Sequence, residues 1–318
     1  MTMGVPIIPG RESGSHQGGP ALTIAITGSS GLIGSALVRA LEQAGHTVRR
    51  LVRRDAHGPD EASWDPAHGA TDSSAIDGID AVINLAGEPL DQRWTRAARR
   101  RIRSSRVEGT SLIARMIASA AARPRVLVSA SAMGIYGNRG DEILDESSTP
   151  GRGFAADVCQ EWERATEPAS DAGVRVVHLR TGLVLARHGG ALARMLPAFR
   201  LGIGGRMGNG RQWMSWIALP DAIAAILFVL REDGISGAVN IGSPNPVTNA
   251  EFTRVLARVL GRPAVVPVPA LALELAFGRM ADETVLASQR MRPRRLLEAG
   301  FEFGYPTLEG AVRGERGE

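Results

Sequence analysis

From residue 21 onward, short apolar runs alternate with longer amphipathic stretches. Runs rich in β-branched residues and bounded by turn formers predict strands at Leu22 to Thr27, Thr47 to Val52, Ala81 to Leu85, Arg125 to Ala130 and Val174 to Leu179. Between them, apolar positions recur at helical spacing over Leu32 to Ala44, Thr95 to Ala121 and Phe154 to Ala172. Strands that alternate with helices predict an α/β fold, a parallel sheet covered by helices. After about residue 181 the alternation breaks up. A glycine-rich stretch (Gly202 to Gly210), a proline-punctuated segment (Pro244 to Pro269) and a basic run (Arg290 to Arg295) follow, and they predict a smaller, partly helical lobe. The first twenty residues are glycine, proline and small polar residues, and read as a disordered tail. The expected organisation is a tail at 1–20, a sheet domain at 21–180 plus 215–243, and a lobe at 181–214 plus 244–318.

Composition narrows the chemistry. The 318 residues are 44% hydrophobic and 22% charged, with mean hydropathy −0.04, as in ordinary globular proteins. No apolar run approaches the roughly 18 to 20 residues of a membrane span. A single cysteine, Cys159, excludes an internal disulfide framework and fits a reducing cytoplasm. All 37 basic residues are arginine, so chemistry that needs lysine is excluded. The pI of 10.3 overstates the positive field, because the formal charge is only +4. We therefore expect neither a nucleic-acid nor a membrane partner, and a cytoplasmic monomer or homodimer.

The most informative segment is ITGSSGLIGSALVRALEQAGH. A strand ends at Thr27, and Gly28, Gly31 and Gly34 follow at three-residue spacing before an amphipathic helix. Glycine permits the tight turn and a close approach of backbone to a pyrophosphate, while the helix N-terminus supplies unpaired N–H groups. Glycine turns also close strands for steric reasons alone, but the strand before and the helix after favour dinucleotide binding. The expected contacts are Gly28, Ser30, Gly31, Leu32 and Ile33.

With this glycine spacing, the chain resembles the extended short-chain dehydrogenase/reductase superfamily. Asn84-Leu85-Ala86-Gly87, Ser129-Ala130-Ser131 before Ile135-Tyr136-Gly137, Leu179-Arg180, and the segment GNGRQWMSWIALPDAIAAI from Gly208 carry the resemblance. Trp64-Asp65-Pro66, Ser105 to Thr110, Gly134 to Gly137 and Ser288 to Leu296 resemble more closely an atypical branch of the NAD-dependent epimerase/dehydratase family, sometimes misnamed a cell-division inhibitor. The resemblance implies a doubly wound, Rossmann-type parallel sheet, and adds Asp65, Leu85, Ala86 and Gly87 to the cofactor contacts. It leaves the substrate, a small molecule, unidentified.

The end of the second strand bears on the cofactor. NAD-binding relatives place an acid there to hold the ribose hydroxyls. This chain reads Val48-Arg49-Arg50-Leu51-Val52-Arg53-Arg54. Arginine pairs bidentately with a 2′-phosphate, so Arg53 and Arg54 put NADP(H) ahead of NAD(H). The alternative is that arginine does lysine's surface work here, with Asp55 near the ribose.

The superfamily's tyrosine and lysine, four residues apart on the helix after strand five, have no counterpart. Phe154 and Val158 stand at those positions, or Ala155 and Cys159 if the register slips by one. Without a positioned general acid, roughly 10²- to 10⁴-fold in rate is forgone. Ser131 is the expected donor to a substrate oxygen, with Ser129 as alternate; Tyr136, one of two tyrosines, is a loop residue that a rate loss on substitution would promote. Cys159 reads as packing, and the six scattered histidines suggest no metal site. Trp213 and Trp216 fit a substrate wall or the core. In the resembled pattern Arg106 lies near the cleft, which implies a carboxylate or phosphate contact. Arg93, Arg96, Arg100 and Arg103 share a helical face, which a charge run usually presents to solvent. The expected function is an NADP(H)-binding oxidoreductase or epimerase-like enzyme; the alternative is a catalytically silent NADP(H)-binding sensor or scaffold.

Overall fold

Seven short strands pair into one parallel sheet. In the computed structural model, which describes residues 20–66, 70–71 and 73–315, they are β1 (Thr23–Thr27), β2 (Thr47–Val52), β3 (Glu61–Asp65), β4 (Ala81–Asn84), β5 (Val126–Ala132), β6 (Arg175–Thr181) and β7 (Gly237–Ile241). Their order is β7-β6-β5-β4-β1-β2-β3, and Ala70–Thr71 adds an antiparallel edge beside β3. The chain winds outward in both directions from β1, so a crevice opens at the carboxyl ends of β1 and β4, where doubly wound sheets bind ligands. The tail expected at 1–20 lies, except for Pro20, outside the described residues.

Strand alternation gives the sheet two different faces. On one, Ile24, Ile26, Ile83, Val128, Val177 and Val239 pack against α1 (Leu32–Gln43) and α6 (Leu219–Arg231). On the other, Ala25, Val82, Leu127 and Val176 meet Ile113 and Ile117 of α2 (Arg96–Ser119). Each fully buried aliphatic side chain contributes roughly 1.5 to 3 kcal/mol. Toward the carboxyl edge this second face turns polar. Register places Thr27 beside Asn84 and Asn84 beside Ser129, then Ser131 beside Arg180 and Arg180 beside Asn240. Two transverse polar rows result, roofed by α3 (Phe154–Arg164).

The single helix expected over Phe154 to Ala172 is two, α3 and a short α4 (Glu167–Asp171). Pro168 lacks the N–H that would continue the ladder, and the Thr166 hydroxyl takes the Glu163 carbonyl at 2.7 Å instead. β3 and β7 were not expected from the pattern. β3 carries Glu61 and Ser63 among its five residues, and β7 begins with glycine.

Beyond the sheet, α5 (Gly190–Arg200), α7 (Asn249–Leu260) and the closing helix Leu308–Gly314 bury Leu192, Phe199, Phe252, Leu256 and Val312 around Trp216. Trp216 is fully buried, so of the two readings for it the core is the one realised. Between α7 and that helix lies α8 (Ala270–Phe277), an apolar helix with most of its surface exposed. Among the described residues, no helix is long and apolar enough to cross a membrane.

Candidate functional site

The glycine turn is built by the protein's own packing at two of its three positions. Gly28 has φ +70°, and a β-carbon there would lie 2.8 Å from the Leu85 carbonyl carbon and oxygen. One at Gly34 would lie 2.1 Å from the Gly28 oxygen. Neither position tolerates a side chain. Gly31 differs: it caps α1 with extended backbone, is exposed, and its β-carbon would meet only the Gly28 oxygen, at 3.3 Å. The space in front of Gly31 is open, and the first N–H groups of α1 have no intrahelical acceptors. This cradle fits a phosphate or pyrophosphate, which the helix dipole favours. Ser30 is exposed beside it and Ile33 packs into the core below. Leu32 instead reaches across to Gly189 and Gly190 at the start of α5, where a β-carbon on Gly189 would lie 2.9 Å from its methyl.

A buried network holds the facing strand end in place. The Thr27 hydroxyl donates to Asn84 Oδ1 at 2.7 Å and accepts the N–H groups of Leu85 and Ala86, both at 3.1 Å. Asn84 Nδ2 donates to Thr110 at 2.8 Å and to Ser129 at 3.4 Å, and Trp162 Nε1 also donates to Thr110 at 2.8 Å. Ser129 is fully buried in this network, so the alternate substrate donor is a support of the Asn84 amide. At Gly87 a β-carbon would come within 3.2 Å of the Arg106 guanidinium carbon. Arg106 is only 8% exposed and lies 5.0 Å over the Trp162 ring. Its Nη1 donates to the Glu88 and Ile102 carbonyls, and burial lowers its pKa. No carboxylate among the described residues ion-pairs with it.

The two arginines after β2 are not equivalent. Arg54 grips Glu61 with two hydrogen bonds, of 2.6 and 2.7 Å, and that contact, with the His57 N–H, holds the Glu61 carboxyl down at about 2. Arg53 forms no ion pair with a described residue. Asp65 ends β3 next to the buried Trp64, whose ring packs over Gly109 of α2.

On α3, Ala155 and Cys159 face the loop after β5. A β-carbon on Gly134, in the loop after β5, would lie 3.5 Å from Ala155 and 3.8 Å from the Cys159 sulfur. Phe154 turns away onto Trp94, edge to face at 5.1 Å, and Val158 is buried. Neither register carries tyrosine or lysine. Cys159 packs with Ile135, Leu144 and Met291, and burial pushes its thiol up to about 12. The N-terminus of α3 is capped from the far end of the chain, where Glu283 Oε2 accepts the Ala155 N–H at 2.8 Å.

Ser131, read from the sequence as a donor to substrate, and Tyr136, read as a loop residue, spend their hydroxyls inside the protein. Ser131 donates to Glu163 Oε1 at 2.7 Å. Arg180 holds both oxygens of that carboxylate from Nε and Nη2, each at 2.9 Å, and gives Nη1 to the Tyr136 hydroxyl at 3.1 Å. Tyr136 in turn donates to Asn240 Oδ1 at 2.6 Å and is fully buried. Burial alone would raise the Glu163 pKa, but the bonds and charge of Arg180 outweigh it and hold the carboxylate ionised. The Tyr136 phenol is pushed up by burial, only partly offset by Arg180. Glu163 and Asn240 were missed by sequence reasoning. The four-residue steps Ala155, Cys159, Glu163 put Glu163 on the helix face toward β5, which was the available signal.

Trp213, the other expected substrate wall, is half-buried, donates Nε1 to Asp141 at 2.8 Å, and carries the Arg290 guanidinium 4.0 Å over its ring. Of the arginine stripe, Arg93 precedes α2 rather than lying on it, and Arg103 pairs with Glu161 of α3.

Known proteins resemble the chain in sequence and in fold. A model described as the NAD dependent epimerase/dehydratase family matches residues 24–242, and a domain of unknown function, DUF1731, matches 268–314. An epimerase family protein of Mycobacterium bovis is 46% identical over 290 residues, covering 91% of this chain and 96% of its own length. A chloroplastic epimerase family homologue from Arabidopsis thaliana is 38% identical, covering 94% of this chain and 88% of its own. The crystal structure of a human epimerase family protein with NADPH superposes with a TM-score of 0.84 at 33% identity, covering 92% of this chain and 98% of that one.

Proposed function

Because the chain belongs to the NAD dependent epimerase/dehydratase family, we propose that it binds NADP(H) at the Gly28 turn and acts as an oxidoreductase or epimerase on a small molecule in the crevice. The cradle in front of Gly31 is the observation that carries this reading: the turn is tight where packing demands it and open where a phosphate would sit. Gly28, Ser30, Gly31 and the N–H groups of Leu32 and Ile33 would hold the pyrophosphate, and Asp65 with Leu85, Ala86 and Gly87 would line the adenosine and ribose side. The sheet unit, 21–180 with 215–243, would carry the cofactor, and 181–214 with 244–318 the substrate side.

Arg53 is the proposed discriminator for the 2′-phosphate, since Arg54 is already matched by Glu61. NADPH in a relative's structure supports the same preference. A bound nicotinamide supplies hydride chemistry. The chain's own residues then orient the substrate, with Arg106 and Trp213 as its proposed anchors: a guanidinium nearly removed from water and lacking a carboxylate favours an anionic group. Proton transfer would proceed without the tyrosine and lysine of related enzymes. Ser131 and Tyr136 we assign to positioning rather than to contact with substrate. The second reading, a silent NADP(H)-binding sensor, is favoured by one observation, that both hydroxyls are consumed by Glu163, Arg180 and Asn240.

Cofactor titration tests the first part. NADPH should bind tighter than NADH by about 10- to 100-fold, the worth of one charge-assisted contact at roughly 1.5 to 3 kcal/mol, and Arg53→Ala should remove the difference. Equal affinities in the unaltered protein would overturn it. Turnover on a panel of carbonyl compounds bearing a carboxylate or phosphate separates enzyme from sensor.

A further inference from the structure

Away from the crevice, the surface between the end of α5 and the start of α8 is basic and aliphatic at once. Residues 172–220 contain seven arginines and no aspartate or glutamate, and residues 252–273 contain three more arginines and again no acid. The fold brings these stretches together. Val266 N–H donates to the Gly204 carbonyl, Val268 N–H to that of Arg206, and a β-carbon on Gly202 would touch Pro263. Two adjoining loops therefore stand side by side, and their tips are aliphatic: Leu201 is 75% exposed and Val265 76%, with Ile203 and Val266 exposed between them. Leu271 and Leu275, one turn apart on α8, continue the apolar exposure.

Arginines ring this patch. A cavity of about 470 Å³ beside it is lined by Arg206, Arg254, Arg262, Val265 and Pro267, and a second of about 430 Å³ by Arg187, Arg200, Arg262 and Leu196. Arg200, Arg206 and Arg262 form no ion pair with a described residue. Glu251, 3.7 Å from Arg254, Glu274 on α8 and Glu315 mark the acidic boundary. Large side chains left in water beside uncompensated guanidiniums are a cost that a monomer rarely retains without a partner.

We propose that this face docks on an anionic lipid surface, with Leu201, Ile203, Val265 and Val266 entering the headgroup region and Arg200, Arg206 and Arg262 pairing with lipid phosphates. Aliphatic tips with arginines behind them match a bilayer interface, where apolar insertion and electrostatic attraction act together. Single-stranded nucleic acid would call for stacking aromatics, and the patch contains none. The expectation of no membrane partner rested on the lack of a spanning segment, which does not bear on surface docking.

Flotation of the full chain with vesicles tests this, using phosphatidylcholine alone and phosphatidylcholine with phosphatidylglycerol. Recovery should be confined to the acidic vesicles and fall with salt. Neutralising Arg200, Arg206 and Arg262 to Gln should each weaken partition by about fivefold, in line with about 1 kcal/mol per basic residue. Leu201→Ser with Val265→Ser should weaken binding while leaving its salt dependence. Because all five side chains are on the surface, the variants should melt with the parent and bind NADPH equally well. Failure to bind acidic vesicles overturns the proposal, as does vesicle binding that every variant retains. Binding to single-stranded RNA or polyglutamate without vesicle recovery, or a dimer in sedimentation that Leu201→Ser with Val265→Ser dissolves, would assign the face to another occupant.

Discussion

Two regions lie along one sheet edge and treat their polar groups in opposite ways. At β1 and α1, backbone donors are left unspent in front of an exposed glycine. Around β5, α3 and β6, Ser131, Tyr136, Glu163 and Arg180 are each matched internally. Polar groups near a crevice thus divide into those with open space before them and those spent on one another. The separation is physical: a group with an open approach can exchange water for ligand, whereas a buried pair must satisfy itself or destabilise the fold.

The strongest way to break this contrast is to remove a member of the matched region. Arg180→Met strands Glu163 in a site where the two side chains are 9% and 13% exposed, and should cost about 3 to 5 kcal/mol in urea unfolding. Adding Glu163→Leu should recover much of that loss. A Met variant as stable as the parent would show that the pair is not a closed structural unit.

The next largest effect belongs to the open region. Gly31→Val should lower NADPH affinity at least about 100-fold, or about 2.7 kcal/mol, while the melting temperature stays close to that of the parent. Gly34→Ala, by contrast, should damage the fold itself, since its new methyl would collide with the Gly28 oxygen. Calorimetric titration and thermal unfolding of both proteins distinguish a ligand cradle from a turn that is tight throughout.

Ser131→Ala sharpens the comparison at smaller scale. Glu163 keeps Arg180, so the loss should be about 1.5 kcal/mol of stability, the worth of one hydrogen bond to a charged group. Cofactor affinity should not change. If a turnover assay becomes available and this variant loses activity far beyond its loss of stability, the serine contacts substrate after all.

Acid should weaken the matched region first. Thr166 spends its proton on the Glu163 carbonyl, so its oxygen accepts from His178 Nε2–H at 2.9 Å. Burial holds the His178 pKa below 6.5, with Arg180 adding to the effect and Glu163 opposing it. A depressed pKa means stability that is complete above the unfolded value and lost as pH falls, here below about 6.5, at about 1.4 kcal/mol for each unit of separation. Glu163, also held below its ordinary value, adds to the loss below about 4.5 in the same direction. Urea midpoints measured from neutral pH downward should decline, and His178→Gln should flatten the first part of that decline.

How legible each part was follows from the range of the interactions that build it. Thr47 to Val52 was read to the residue and the neighbouring strands to within two, because alternation and flanking turns are local. The glycine turn was equally legible, since strand, three glycines and helix are contiguous. β3 and β7 escaped because their sequences, with Glu61 and Ser63 in one and a leading glycine in the other, become strands only when a neighbour supplies the ladder.

By itself, then, the sequence determined the parallel α/β sheet, the place of the glycine turn, and the lack of a tyrosine and lysine on α3, since these depend on residue type and short-range order. Tertiary structure alone decided which polar groups are paired with one another. Ser131, Glu163, Arg180 and Asn240 come from β5, α3, β6 and β7, and no spacing along the chain records that their side chains meet. Arg53 and Arg54 are adjacent and chemically identical, yet only Arg54 finds Glu61 across β3, and that difference exists only once the strands are paired.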